Sequence, residues 1–202
     1  MTKTLIATAV LLLCFTLSTA HAATGPGTQA VRKANDTVAK LLRKKVAAGS
    51  DAEAKLATKI TAELRGFLDV EELGKRAMSD HWDKLEPAKR TEFMNLLRDL
   101  IEANYVKGLR ANLDYEVSYA GESPKGDNLL VTTEIKTMRR GRPYKIEIQY
   151  LLRKDGSGWR TFDVVTDGVG LVENYRAMFN KIIAKEGVDG LIARMRTKLA
   201  TI

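Results

Sequence analysis

The 202-residue chain is poor in the residues that staple small folds or do covalent chemistry: one cysteine, two histidines and four prolines. A lone cysteine, Cys14, excludes an internal disulfide and a thiolate metal cluster. His21 and His81 are the only imidazoles, no G-x-S-x-G stretch supplies a nucleophilic serine, and no regularly spaced carboxylate loop suggests a calcium site. Gly168 and Gly170 precede a helical pattern, but a third glycine and a βαβ context are missing, so a phosphate-cradling loop is not indicated. Internal repeats and low-complexity tracts are also absent. Nothing here points to a metal or a cofactor.

What is present is ordinary globular material, 45% hydrophobic and 29% charged, with a net charge of +8. That amount of chain suits one domain. The N-terminus has a different character. Lys3, the uncharged run Leu5–Leu17 and the small residues of Ala20-His21-Ala22 predict a secretory signal over residues 1–22, cleaved after Ala22. The apolar run is too short for the roughly 20 residues that span a bilayer, and Leu13 is too large for the position before a lipidated cysteine. Cleavage leaves a cysteine-free domain, residues 23–202, whose stability rests on its hydrophobic core. Export also redirects the meaning of the positive charge, from nucleic acid to lipid head groups, acidic glycans or acidic protein surfaces.

Thr24-Gly-Pro-Gly27 reads as a loose tether. Three-four spacing then predicts amphipathic helices over 28–46, 51–67 and 70–78, with Ser50 as a cap. Pro87 opens a fourth and longest helix, running to about Arg110. Near Asn112 the period changes to two. Strands are expected around Leu113–Tyr119, Leu129–Thr137, Tyr144–Leu152 and Trp159–Thr166, with turns at Gly121–Asp127, Arg139–Pro143 and Asp155–Gly158. Two further helices follow Gly170, separated by Gly187. The expected fold is α+β, a four-stranded antiparallel curved sheet with about six helices packed over it. The apolar faces exceed what a two-layer core obviously consumes, and both a filled core and an internal cavity satisfy the pattern.

Two features bear on chemistry. Asp163 shares an expected strand face with Trp159 and Val165, so it is either a hydrogen-bonded structural carboxylate or a buried base of the kind used by cone-shaped α+β isomerases. The cluster Arg139, Arg140, Arg142 and Lys145 lies on a hairpin turn, either simply solvated or facing anionic head groups or an acidic partner.

The residues also carry a resemblance. Phe67-Leu-Asp-Val-Glu-Glu-Leu-Gly-Lys-Arg-Ala-Met78, His81-Trp82, Leu85-Glu-Pro-Ala-Lys-Arg90, Phe93 and Tyr105 resemble the W-x-x-L-x-P-x-x-R-x-x-F … Y pattern of the MlaC, or toluene-tolerance, family. Gly158-Trp159 through Asp163, Gly168, Tyr175-Arg176, Phe179, Gly187 and Asp189-Gly190-Leu191-Ile192 are similar to the family's strand-to-helix region. Gly170 departs from it, standing where the family commonly has serine, which weakens the helix cap expected there.

The resemblance implies a non-enzymatic, monomeric periplasmic carrier of diacyl phospholipid that maintains outer-membrane lipid asymmetry. Its partners would be an outer-membrane lipoprotein–porin complex and an inner-membrane ABC transporter with a membrane-anchored substrate-binding ring, with no nucleic acid. Acyl chains would enter an apolar cavity between sheet and helices. On that reading Leu73, Leu97, Ile101, Tyr105, Ile135, Ile146, Ile148, Tyr150, Val169, Val172, Tyr175 and Phe179 supply its wall, and Arg139, Arg140 and Arg142 meet a head group or partner. Wall and core residues look alike in sequence. Carriage of a hopanoid or another lipid, and an isomerase using Asp163, are the alternatives.

Overall fold

The computed structural model describes residues 24–47, 49–109 and 115–202. The expected signal peptide lies outside the described residues, as do the side chains of Tyr105 and Arg139. The elements follow in the order α1 (Pro26–Leu42), α2 (Asp51–Phe67), α3 (Val70–Met78), α4 (Pro87–Leu109), β1 (Tyr115–Lys125), β2 (Asn128–Arg139), β3 (Arg142–Asp155), β4 (Gly158–Thr166), β5 (Val169–Gly170) and α5 (Leu171–Leu199), with a 3-10 turn at Ser79–His81. The class is α+β, and the five strands form one antiparallel meander in sequence order.

The helices start where the sequence supplies acceptors for their free N–H groups. The Ser50 hydroxyl accepts from the Glu53 N–H at 3.2 Å while the Glu53 carboxylate takes the Gly49 N–H at 2.7 Å, a reciprocal cap on α2. Asp69 caps α3 through the Glu72 N–H at 3.1 Å. The expected loose tether before α1 is instead its first turn. Gly25 is the cap, Pro26 opens the helix, and the Thr28 N–H donates to Glu122 of β1 at 2.6 Å. A carboxylate at a helix N-terminus satisfies both the open donors and the dipole. A Cβ on Gly27 would lie 3.0 Å from Leu129 and 3.1 Å from Glu122, so glycine permits this close approach.

Three expectations about the elements are corrected. The turn placed at Gly121–Asp127 is confined to Gly126 and Asp127: β1 continues through Pro124 to Lys125, with a register shift between Tyr119 and Gly121. As a sheet edge, β1 can hold a proline whose missing N–H no neighbouring strand needs. The sheet has five strands rather than four, because Asp167 (φ 48°) and Gly168 (φ 82°) turn the chain back so that Val169 and Gly170 pair with Thr166 and Val165. Among the described residues the helices number five rather than about six, because the last two expected helices run together as α5; the break expected between them is present as a kink at Gly187, with φ 68° and ψ −177°.

The apolar residues sort into three clusters. α3, α4 and α5 pack around Leu73, Met78, Phe93, Leu97, Phe179 and Leu191. α1 and α2 meet through Val38, Leu42, Leu56, Ile60 and Leu64. Val31 of α1 packs on the sheet against Val131, Tyr150 and Leu152. Polar ties join the helices to the strands. Asp69, 1% exposed, receives the Arg153 guanidinium at 2.6 Å, and its N–H donates to the Thr161 carbonyl at 2.7 Å. Arg160 donates to the carbonyls of Arg65 and Leu68 at the end of α2. These contacts fix the α2–α3 corner against β3 and β4.

Candidate functional site

The strand registers define one inner face of the sheet. Val117, Ile135 and Ile146 lie in one row, Tyr119, Thr133 and Ile148 in the next, and Val131, Tyr150 and Val164 in a third. α1 and α2 cross this face. Because their apolar residues are largely engaged with each other, they do not fill the space above the strands. A cleft of about 330 Å³ remains, lined by Val38 of α1, Leu64 and Phe67 of α2, Leu68 just after it, Ile101 of α4, Val117, Ile135, Ile148, Tyr150 and Val164 of the sheet, and Leu171 of α5. Its volume is at the lower end of the roughly 300–1,000 Å³ range for sites that enclose a small molecule.

The polar groups around this space are few and mostly satisfied from within. The Thr161 hydroxyl donates to backbone carbonyls, 3.1 Å from Leu151 and 2.9 Å from Asp163. The fully buried Thr133 hydroxyl donates to the Ile148 carbonyl at 3.0 Å. Burial pushes the Tyr150 phenol up to about 12, partly offset by Asn35 and Thr133 alongside it, so it stays neutral across the physiological range. Half-buried Asn35 and Tyr115 and exposed Glu63 are the other polar residues of the lining. An apolar wall with neutral or rim-placed polar groups suits hydrocarbon.

Four of the residues singled out in the sequence, Ile101, Ile135, Ile148 and Tyr150, meet in this cleft. Leu73, Leu97, Val172 and Phe179 sit in the cluster formed by α3, α4 and α5, with Tyr175 packed against it. Ile146 is half-buried further along the inner face, and Val169 is 60% exposed. Arg140 and Arg142 lie exposed at the β2–β3 turn, in a separate surface hollow. Sequence reasoning missed Val117, Val164, Phe67 and Leu68. The first had a readable signal, since it alternates in phase with Tyr115 and Tyr119. Phe67 stands on the α2 stripe with Leu64, but nothing in the sequence distinguishes a stripe that faces a cleft from one that faces a core.

Asp163 does not line the cleft. The β3–β4 register shifts between Leu151 and Leu152, so that Thr161 opposes Leu152 while Val164 opposes Tyr150. This bulge at Phe162 reverses the alternation, and Asp163 leaves the inner face. Its Oδ1 accepts the Val172 N–H at 3.0 Å, capping α5 from a neighbouring strand. The cap weakened by Gly170 is thereby supplied. A Cβ at Gly170 would stand 3.0 Å from the Asp163 carboxylate, so the glycine leaves it room. Among the described residues no three carboxylate, imidazole or thiol groups gather as a metal site, and no helix is long and apolar enough to cross a membrane.

With the geometry in place, comparison with known proteins is decisive about family. The model of the MlaC protein family matches residues 32–197, most of the chain. The chain belongs to the MlaC family. A similar curated protein is the intermembrane phospholipid transport system binding protein MlaC of Haemophilus influenzae, 22% identical over 143 residues, covering 70% of this chain and 67% of the relative. Among solved structures, the phospholipid-binding protein of Ralstonia solanacearum, solved in complex with a phospholipid, is similar with a TM-score of 0.71 and 20% identity, covering 88% of this chain and 98% of that one. At that identity the likeness establishes a shared fold.

Proposed function

We propose that this chain is a periplasmic phospholipid carrier, exported by the signal peptide of residues 1–22 and acting without catalysis as the single domain 23–202. The observation that carries the reading is the apolar cleft between the inner sheet face and α1–α2. Membership of the MlaC family and the names of the two relatives support it. Acyl chains would lie against Ile101, Ile135, Ile148 and Tyr150, with the cavity enlarging along the same face. Leu73, Leu97, Val172, Tyr175 and Phe179 would back the wall from the helical core.

The physics favours a sheath. At roughly 0.8 kcal/mol per methylene, exposing two long acyl chains to water costs on the order of 20 kcal/mol. Passage from a bilayer to an apolar cleft exchanges one hydrocarbon surrounding for another and is close to neutral. Direction therefore comes from partners, for which we propose an outer-membrane lipoprotein–porin complex and an inner-membrane ABC transporter.

The test is extraction and mass spectrometry of lipid co-purified with the protein from the periplasm. Diacyl phospholipid is expected, at a stoichiometry reduced severalfold in Ile148→Trp, where an indole occupies the cleft. Recovery of a hopanoid would reassign the cargo, and protein free of lipid would overturn the reading.

A further inference from the structure

The tip of the β2–β3 hairpin combines features that an ordinary solvated turn does not require. From Lys136 to Lys145 the chain carries five cations and no carboxylate. Glu134, just before this stretch, is 3.2 Å from Lys145 and 3.9 Å from Lys136. Arg140 and Arg142 are exposed and pair with no carboxylate among the described residues. The turn has two residues, with Arg140 at φ 53° and Gly141 at φ 74°. Such turns favour glycine, asparagine or aspartate at both positions, so an arginine is held here against its backbone preference.

Apolar groups share the tip. Met138 is 55% exposed and opposes Pro143, which is also exposed. An acidic protein surface would match the arginines but offer nothing to Met138. A bilayer surface matches both, with anionic phosphates above and hydrocarbon just below. The tip is also continuous with the cleft. From Ile148 the inner face passes through Ile146 and Tyr144 to Arg142, a distance of about 20 Å at roughly 3.3 Å per residue.

We propose that the β2–β3 hairpin tip docks the protein directly on an anionic bilayer, with Arg140 and Arg142 on lipid phosphates and Met138 entering the interface. The docked tip then sets the inner sheet face as the path between bilayer and cleft. This role rests on the carrier reading, but docking is measured separately from cargo.

The experiment is co-sedimentation of the lipid-loaded protein with two kinds of vesicle, phosphatidylcholine alone and equal parts phosphatidylcholine and phosphatidylglycerol. The wild type should bind the anionic vesicles, more weakly as salt rises, and leave the neutral ones in solution. Arg140→Gly suits the positive φ and preserves the turn. Combined with Arg142→Gln it should weaken binding about thirtyfold, from about fivefold per arginine near a charged surface. Met138→Ser alone should weaken it severalfold. Equal binding to both vesicles, no binding to either, or undiminished binding by the double variant would overturn the proposal. So would a double variant that keeps vesicle binding but loses an acidic protein partner. Lipid content of the double variant, measured by extraction from the periplasmic protein, should match the wild type. A lipid-free wild type that still binds anionic vesicles would sink the carrier reading while leaving the docking surface standing.

Discussion

On the helical side, Phe93 and Phe179 meet edge to face with ring centroids 5.4 Å apart, and the residues around them leave almost no exposed surface. On the sheet side, Phe67 and Tyr150 stand 6.1 Å apart, tilted by 58°, along the wall of an open cleft. Both sides use the same residue types. The difference lies in where the covering helices direct their apolar stripes. α3, α4 and α5 interlock around one shared cluster, whereas α1 and α2 direct much of theirs at each other and roof the strands incompletely. Hollow space thus arises from how helices pair, with no unusual composition on either side.

The contrast can be broken by truncation. Phe179→Ala removes a ring from the filled side and should cost about 4 kcal/mol, read as a shift in denaturant midpoint. Ile148→Ala enlarges a space that already exists, so its cost should fall near the bottom of the range for such changes, about 2 kcal/mol. Equal losses would mean that the sheet side is packed as tightly as the helical side. The smallest effect is expected from Tyr150→Phe, within about 1 kcal/mol at neutral pH. Its signature is alkaline. The folded-state phenol titrates near 12 and the unfolded one near 10, so the folded chain holds its proton longer. Stability is then fully present below about pH 10 and declines toward pH 12, and Tyr150→Phe should flatten that decline in urea melts measured across the window.

α2 and α4 were legible because each has a three-four stripe and a chemical start signal, Ser50 and Pro87. The alternation of β2 and β3 was equally plain. The bulge at Phe162 was hidden, since one extra residue changes which side chains face inward without altering composition, and with it went the placement of Asp163. Pro124 and Gly121 imitate a turn, and only the position of β1 at the sheet edge allows them inside a strand. The cleft itself was illegible for a deeper reason. Ile148 and Leu97 present the same hydrocarbon to a reader of the sequence, and whether a partner fills the space opposite is decided by helix placement far along the chain.

All four connections within the meander are two residues long. Turns that short have no spare backbone with which strands could part, and every hairpin keeps its ladder of hydrogen bonds almost to its end. The floor of the compartment is thus stiff. Any widening of the cleft therefore falls to α1 and α2, and its extent is set by how far their ties at Glu122 and Asp69 yield.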